Sequence, residues 1–241
     1  MNNYLLEIGV EELPSRFVNM AIEQLNEKSK KLLTENEIGF ENVKVYATPR
    51  RLSLIVEGLD EKQKDIQKEV KGPSLKIAYD DDKKPTKPLL GFMKSQNISE
   101  DDLIIKELKG TDYVFANISS IGRKSSEILA EIMPSLIKDI NFPKNMRWGG
   151  KNIRFARPIR WVVSLLNDQV VEFDFEGIPV GNKTKGHRFL GSSEIIIDQV
   201  NNYEKLLEEN YVILDQNKRR DLIKYESTKI AKALGGEIHE N

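Results

Sequence analysis

The sequence predicts an α+β fold whose lobes combine mixed or antiparallel sheet with packed helices. Residues 4–10 have the apolar composition of a buried strand. An apolar stripe at helical spacing follows to about residue 37, with Pro14 near the first turn, where its missing N–H costs nothing. The stretches 43–47 and 52–56 then alternate as strands do. A strand, a helix and two strands in this order form half of a ferredoxin-like unit, so we predict that the first lobe is ferredoxin-like.

Composition and the positions of Gly-Pro breaks and charged loops divide the chain into three predicted regions. Residues 1–60 form the ferredoxin-like α+β unit, and residues 61–100 form a charged connector with a short helix. Residues 101–241 form a mixed α+β lobe that ends in a long amphipathic helix. The connector contains a Lys-Gly-Pro break at 71–73 and a polar, charged loop at 79–87.

The elements of the last region follow from turn and cap signals. Apolar alternation on either side of a turn predicts hairpins within 103–121 and 159–175. Ser125 precedes an apolar helical stripe as an N-cap would. Asp215 has the same position before the final helix, which we predict to run to Leu234 because two glycines follow.

The overall composition is that of an ordinary globular chain. Hydrophobic residues make up 39% of the 241 residues and charged residues 31%. No apolar run approaches the roughly 18 residues that a membrane-spanning helix needs. The N-terminus carries acidic rather than basic residues, unlike a signal peptide, and the chain has no cysteine. We therefore expect a cytoplasmic protein without a membrane partner, without disulfides and without thiolate metal sites.

Charge is segregated locally although the net charge is only −1. No carboxylate occurs from residue 140 to residue 167, and this range includes what we call the basic segment, residues 142–161. Guanidinium groups bind phosphates bidentately and aromatic faces stack on bases, so the segment is typical of an RNA-binding surface. The equally acceptable interpretation is that its aromatics are core and its arginines are solvated. The candidate RNA contacts here are Lys144, Arg147, Trp148, Arg154, Arg157 and Arg160.

Two further places carry candidate cations. Arg50 and Arg51 follow Pro49 on a predicted turn, so we expect both to be exposed. The glycine-rich basic loop, residues 177–191, adds Lys185, His187 and Arg188. A lone histidine in such a loop is more often structural or an RNA contact than a general base, and surface arginines are usually only solvated.

The two tryptophans are predicted to differ. Trp161 is one of the alternating apolar residues on one face of its predicted strand, so we expect it in the core. Trp148 stands beside two glycines and is expected to be an exposed stacking platform.

Motifs for self-contained catalysis are missing from the sequence. There is no G-x-S-x-G, H-E-x-x-H, Walker lysine or dinucleotide fingerprint, and the two histidines have no metal-ligand spacing. Glu11 and Glu12 could form a catalytic carboxylate pair, but acidic residues at a helix N-terminus are favoured by the macrodipole, and we prefer that interpretation. We therefore predict no catalytic residue and no metal site in this chain.

Six blocks in order carry a family resemblance. They are EIGVEELP at 7–14, TPRRL at 48–52, KGP at 71–73, FPKNMRWG at 142–149, FARPIRW at 155–161 and GHRF at 186–189. Each block is weak alone, but the ordered set is specific and spans most of the chain. The sequence resembles the N-terminal part of the β subunit of bacterial heterotetrameric glycine–tRNA ligase.

The resemblance implies an α2β2 enzyme of protein biosynthesis. In that family the α subunit holds the class II site for glycine and ATP with Mg, and the β subunit binds and positions tRNA(Gly). The chain would be roughly the first third of such a β subunit, without its HD-like and anticodon-binding regions, and would use no cofactor itself. Its partners would be the α subunit, a second β subunit and tRNA(Gly). The rival interpretation is a structural module that forms the α–β or β–β interface, where Arg and Trp are also enriched.

Overall fold

The computed structural model describes residues 2–80, 82–108, 110–150 and 152–239. The strands are β1 Asn2–Val10, β2 Asn42–Thr48, β3 Arg51–Leu59, β4 Ile66–Ser74, β5 Leu103–Leu108, β6 Thr111–Ser120, β7 Met146–Arg147, β8 Arg154–Phe155, β9 Ile159–Leu166, β10 Gln169–Val170, β11 Val180–Gly181, β12 Lys183–Thr184 and β13 Ile195–Ile196. The α-helices are α1 Ser15–Glu35, α2 Leu75–Ala78, α3 Lys87–Gln96, α4 Ser125–Lys138, α5 Tyr203–Glu209 and α6 Gln216–Ala233, with 3₁₀ turns at Glu100–Asp102 and Val200–Asn202. The predicted α+β class is confirmed.

The main sheet completes the ferredoxin-like unit that the first elements begin. Its strand order is β10-β9-β1-β3-β2, and β11 joins the outer side of β9. Both β3 and β9 pair antiparallel with β1, while α1 connects β1 to β2 and α4 precedes β9. The sequence β1-α1-β2-β3-α4-β9 is thus a β-α-β-β-α-β arrangement, with a second unit inserted between β3 and α4.

Contacts within the chain group the residues differently from the predicted regions. One compact unit comprises Met1–Lys62 and Lys124–Asn241, and the other comprises Gln63–Arg123. The predicted ferredoxin-like region ended at residue 60, whereas the structure supplies the fourth strand from Ile159–Leu166. Local alternation could not reveal this pairing, because the two strands lie about 150 residues apart and only tertiary packing joins them.

The inserted unit is a small antiparallel sheet with two short helices. Its strand order is β4-β6-β5, and the predicted hairpin of β5 and β6 is confirmed. Ala78, Leu89 and Val114 form a small buried cluster with partly buried neighbours from both helices. Residues 61–100, predicted as a connector, therefore contribute the edge strand β4 and the helices α2 and α3.

The centre of the larger unit is β1, which is buried on both faces. Every residue from Tyr4 to Val10 is buried. Tyr4, Leu6, Ile8 and Val10 belong to a core shared with α1 and α4. Leu5, on the opposite face, belongs to a second core with residues of β9 and α5. The alternating side chains of one strand therefore serve two cores.

The final helix differs from its prediction in burial. Asp215 caps α6 as expected, since its carboxylate accepts hydrogen bonds from the backbone N–H groups of Asn217 and Lys218. No residue of Gln216–Ala233 is buried, so the predicted amphipathic helix has no covered apolar face within the described part of the chain. No helix among the described residues is both long enough and apolar enough to span a membrane.

Gly9 is required by the position of Trp161. These residues are register partners on β1 and β9, and the Trp161 side chain lies over the Gly9 backbone. A Cβ atom built on Gly9 would lie 2.0 Å from Cε2 of the indole. Trp161 is buried, as predicted, and its burial depends on the absence of a side chain at position 9.

We expect Gly9→Ala to lower the free energy of unfolding by at least about 1–3 kcal/mol, because the new methyl group must displace a packed indole. Gly181→Ala is the matched control, since a Cβ there meets nothing within 4 Å on the same sheet. The control should change stability by less than about 0.5 kcal/mol. Chemical denaturation of both variants provides the measurement, and equal effects would contradict the proposed packing of Trp161 on Gly9.

Candidate nucleic-acid interface

A buried carboxylate network lies on the second face of β1. Glu7 is completely buried and accepts hydrogen bonds from Trp161, Thr184, Tyr203 and Arg51. The Trp161 Nε1 and Thr184 Oγ1 atoms each lie 2.5 Å from Glu7 Oε1. Arg51 Nη1 lies 3.4 Å from Oε2, which also accepts from the Tyr203 hydroxyl. We call these five residues the buried carboxylate network.

The network keeps the Tyr203 hydroxyl protonated. Burial raises the pKa of the Tyr203 hydroxyl well above its usual value, and the neighbouring Glu7 carboxylate raises it further. Tyr203 is therefore a hydrogen-bond donor near neutral pH. Ser53 Oγ lies 2.7 Å from the same hydroxyl and links it to the centre of the sheet. These contacts compensate the desolvation of Glu7, which would otherwise be costly.

The structure corrects the prediction for Arg51. We expected this residue to be exposed and to contact RNA, but its side chain is only 2% exposed. It is the first residue of β3, and its guanidinium points inward to Glu7. Its Nη2 atom donates to the Lys185 carbonyl at 2.5 Å, so Arg51 fixes the basic loop instead of meeting a phosphate. A turn motif alone could not show in which direction this side chain points.

Sequence reasoning missed Glu7 as a key residue. It interrupts an apolar strand that is buried on both faces, and a buried carboxylate requires hydrogen bonds and a counter-charge. That requirement was the signal available in the sequence. It predicts that a buried cationic residue pairs with Glu7, without identifying which residue.

Carboxylates distant in sequence fold onto several candidate arginines. Glu11 lies 3.0 Å from Arg160 Nε and 3.5 Å from Arg188 Nη2. Glu12 lies 3.5 Å from Arg188 Nη1, and its carbonyl accepts from Arg157 Nε at 3.1 Å. The side chains in these ion pairs are 35–62% exposed, so each pair contributes little to stability.

The same contacts correct the interpretation of Glu11 and Glu12. We attributed them to the first turn of a helix, but α1 begins at Ser15 and its first turn has no acidic residue. Their role is to neutralise arginines that the sequence places in acid-free segments.

Arg50 lies in an electrostatically unfavourable position. Burial lowers the pKa of its guanidinium, and the cationic Arg188 and Arg51 lower it further, with Glu11 and Glu12 opposing them. Its Nε atom is buried and has no hydrogen-bond partner among the described residues. Arg50 is therefore a partly buried cation whose surroundings lack a full counter-charge.

Arg50 lines a pocket of about 380 Å³. The walls come from the segment between β1 and α1, the β2–β3 turn with its flanking residues, the basic loop, the segment after α5 and one residue of α6. The lining residues are Glu12, Thr48, Pro49, Arg50, Arg51, Gly186, His187, Arg188, Phe189, Tyr211, Val212, Ile213 and Arg219. His187 has a structural function there, because its Nδ1 accepts the backbone N–H groups of Phe189 and Leu190 at 3.2 Å each. We call this cavity the aromatic-rimmed pocket, since Phe189 and Tyr211 at its edge are largely exposed.

A second cationic group lies on the β7–β8 hairpin. Lys144, Arg147 and Arg154 are exposed, and Arg147 is the register partner of Arg154. Within the described part of the chain, no carboxylate pairs with any of the three. Like charges directly opposite each other on paired strands destabilise a hairpin. This group is therefore the part of the basic segment whose charge is available to an external anion.

The remaining candidates have internal contacts. Trp148 is half-buried, and its indole N–H donates to the Phe155 carbonyl at 3.2 Å, so it is less exposed than predicted. Lys185 Nζ lies 5.3 Å from the centroid of the Trp161 ring, in cation–π range. Among the described residues, no group of three or more His, Asp or Glu side chains could hold a metal ion.

Comparison with known proteins gives a consistent result. The family model described as glycyl-tRNA synthetase beta subunit matches residues 4–241. The chain is 54% identical over 239 residues to the glycine–tRNA ligase beta subunit of Clostridioides difficile (strain 630), a match that covers 99% of this chain and 35% of that protein. Corresponding proteins of Limosilactobacillus reuteri (strain DSM 20016) and Thermodesulfovibrio yellowstonii are 46% and 44% identical, over 95% and 99% of this chain and 33% and 35% of theirs. The chain spans about a third of the length of the curated relatives it matches.

We expect Glu7→Gln to lower the free energy of unfolding by about 3–5 kcal/mol, because it leaves the Arg51 guanidinium buried without a counter-charge. The matched control is Glu57→Gln, which removes a carboxylate 2.6 Å from Lys44 where both side chains are partly exposed. The control should cost no more than about 1 kcal/mol. Denaturant unfolding followed by circular dichroism measures both, and a cost for Glu7→Gln as small as that of the control would contradict the importance of the network.

Proposed function

The chain belongs to the glycyl-tRNA synthetase beta subunit family, and from this premise we propose that it is the N-terminal, tRNA-binding region of such a subunit. In this proposal it helps an α subunit to attach glycine to tRNA(Gly) with ATP. Glycine and ATP with Mg²⁺ bind to the α subunit, a second β subunit completes an α2β2 tetramer, and the enzyme works in the cytoplasm.

The observation that carries the proposal is the cationic group on the β7–β8 hairpin. Arg147 and Arg154 oppose each other across the strands, and Lys144 lies close by in sequence. No described carboxylate relieves their repulsion. A bound phosphate backbone would relieve it, because guanidiniums hold phosphate oxygens bidentately and folded RNA is recognised largely by phosphate and 2′-hydroxyl contacts.

The other arginines support the proposal less directly. Arg160 and Arg188 already bind Glu11 and Glu12, so an RNA phosphate must displace a carboxylate to reach them. Arg157 is held by two backbone carbonyls, of Glu12 and Ala156. We therefore assign the hairpin cations the larger share of the salt-dependent affinity.

A second candidate function is a protein interface, and α6 favours it. Its exposed apolar side chains include Leu222, Ile223, Tyr225 and Ile230, each at least 44% accessible. An exposed apolar helix face is typical of a surface that another polypeptide covers. Contact with an α or a second β subunit through α6 is compatible with RNA binding through the hairpin.

We expect the double reversal Arg147→Glu with Arg154→Glu to weaken tRNA binding and to flatten its salt dependence. If about five phosphates are neutralised, log affinity should fall with log salt at a slope of about −3.5 to −4.5. Losing two contacts should reduce the magnitude of that slope by about 1.4–1.8. Filter binding or fluorescence anisotropy with tRNA over a salt series measures both quantities.

The control for this experiment has the same change in charge. Lys30→Glu with Lys31→Glu alters two lysines on α1, of which Lys31 makes only an exposed ion pair with Glu35 at 3.7 Å. That variant should retain the slope of the unmodified chain. If the hairpin reversal leaves affinity and slope unchanged but abolishes co-purification with the α subunit, the basic segment is a protein interface and the RNA-binding proposal is wrong.

We also expect the chain by itself to catalyse no glycine-dependent ATP–pyrophosphate exchange, since the proposal assigns both substrates to the α subunit. The assay compares the purified chain, the α subunit and their mixture. Exchange above background in a preparation free of α subunit would refute this division of labour.

A further inference from the structure

The rim of the aromatic-rimmed pocket consists of exposed rings. Phe189 is 84% exposed and Tyr211 63%, and both line the cavity. Its volume of about 380 Å³ lies within the range of about 300–1,000 Å³ that is usual for small-molecule sites. Two uncovered rings beside one cavity provide flat apolar faces for a planar ligand group.

The backbone presents the Tyr211 ring at a conformational cost. Tyr211 has a φ of 62°, a left-handed conformation that is unfavourable for an aromatic residue. Hydrogen bonds from Tyr211 and Val212 to the carbonyls of Glu208 and Leu207 hold this turn after α5. These two bonds are the Schellman pattern that ends a helix, so the left-handed conformation closes α5 and also fixes where the Tyr211 ring lies.

The loop that carries Phe189 is equally well fixed. His187 Nδ1 binds two backbone N–H groups of the loop, and the His187 N–H donates to the Asn210 carbonyl at 2.9 Å. A Cβ atom at Gly191 would lie 2.5 Å from the Asn210 carbonyl oxygen, so the loop packs tightly against the turn that holds Tyr211. The two aromatic residues are therefore carried by segments that are bonded to each other.

The charge in the pocket is suited to a phosphate. Arg50 and Arg188 repel each other, and a buried Arg50 Nε lacks a partner among the described residues. Arg188 is 45% exposed and is held by carboxylates at 3.5 Å, longer than a good charged hydrogen bond. Arg219 contributes less, because its Nη atoms already donate to the Ala47, Ile213 and Leu214 carbonyls.

We propose that the aromatic-rimmed pocket binds one unpaired nucleotide of a single-stranded RNA segment, with its base on Phe189 and Tyr211 and its phosphate on Arg50 and Arg188. The inference rests on the proposed function, since it assigns an unpaired part of the RNA to this pocket while the hairpin cations contact phosphates elsewhere. Bases of unpaired RNA stack on aromatic side chains in this way, whereas paired bases are not accessible.

The test uses a fluorescently labelled, four-nucleotide single-stranded RNA of mixed sequence and measures anisotropy. Phe189→Ala combined with Tyr211→Asn should weaken its binding by about 5- to 150-fold, the equivalent of about 1–3 kcal/mol for one stacked base. Asparagine is chosen because it tolerates a positive φ. Ile105→Ala is the control, since Ile105 on β5 is also largely exposed, at 58%, but does not line the pocket, and binding should be unchanged.

A change of opposite sign provides an independent check. Glu12→Gln removes a carboxylate that competes for Arg188, so it should tighten binding of the tetranucleotide by about 1.4- to 5-fold. Competition with a nucleoside monophosphate should displace the RNA at lower concentration than inorganic phosphate does. Equal competition by the two would mean that the pocket is an anion site without base recognition, and would overturn the proposal.

The outcomes separate this inference from the proposed function. If the aromatic variant, shown to be folded by circular dichroism, binds the tetranucleotide normally while the hairpin reversal still weakens tRNA binding, the pocket proposal fails and the proposed function stands. If the aromatic variant instead loses the α subunit and keeps RNA binding, the pocket is a protein-docking site and the proposal is wrong. If the hairpin reversal leaves tRNA binding unchanged while the aromatic variant weakens the tetranucleotide, the pocket proposal stands and the hairpin assignment fails.

Discussion

The burial of Glu7 together with Arg51 is the constraint on which the larger unit depends. Burying a carboxylate and a guanidinium costs several kcal/mol per ion, and because their closest contact is 3.4 Å, additional hydrogen bonds must offset much of that cost. Here Trp161, Thr184 and Tyr203 supply those bonds, so β1, β3, β9, the basic loop and α5 must all be in place together. The pair therefore specifies one arrangement of segments that are up to 196 residues apart.

The same ion pair connects the core to the basic surface loop. Arg51 extends from Glu7 to the Lys185 carbonyl, so the basic loop is attached directly to the centre of the sheet. Outside this layer, Glu11 bridges Arg160 and Arg188 at partial exposure. The β7–β8 hairpin carries cations that have no described carboxylate partner. Cationic side chains thus range from buried and structural to exposed and available, although their sequence context is uniformly basic.

Sequence reasoning correctly predicted the features that local residue patterns determine. The apolar strand at residues 4–10, the helix after it and the burial of Trp161 follow from periodicity, and all three are confirmed. Relations across the chain were not predictable in this way. The pairing of β9 with β1 arises from tertiary packing, and the inward direction of Arg51 depends on a carboxylate 44 residues earlier. Acid-free stretches likewise gave no information about Glu11, which approaches them only in the fold.

Counting basic residues therefore overstates the charge that a polyanion can meet. Arg51 is neutralised in the core, and in the proposed complex a phosphate at Arg188 would replace a carboxylate of Glu11 or Glu12, so the net gain in attraction would be small. In the unbound protein Glu12 partners the Arg188 guanidinium, which would otherwise repel Arg50 more strongly. Discrimination at this position must then come from a group that a carboxylate lacks. A base that stacks on exposed aromatic faces is such a group, and Phe189 and Tyr211 lie where it would be needed.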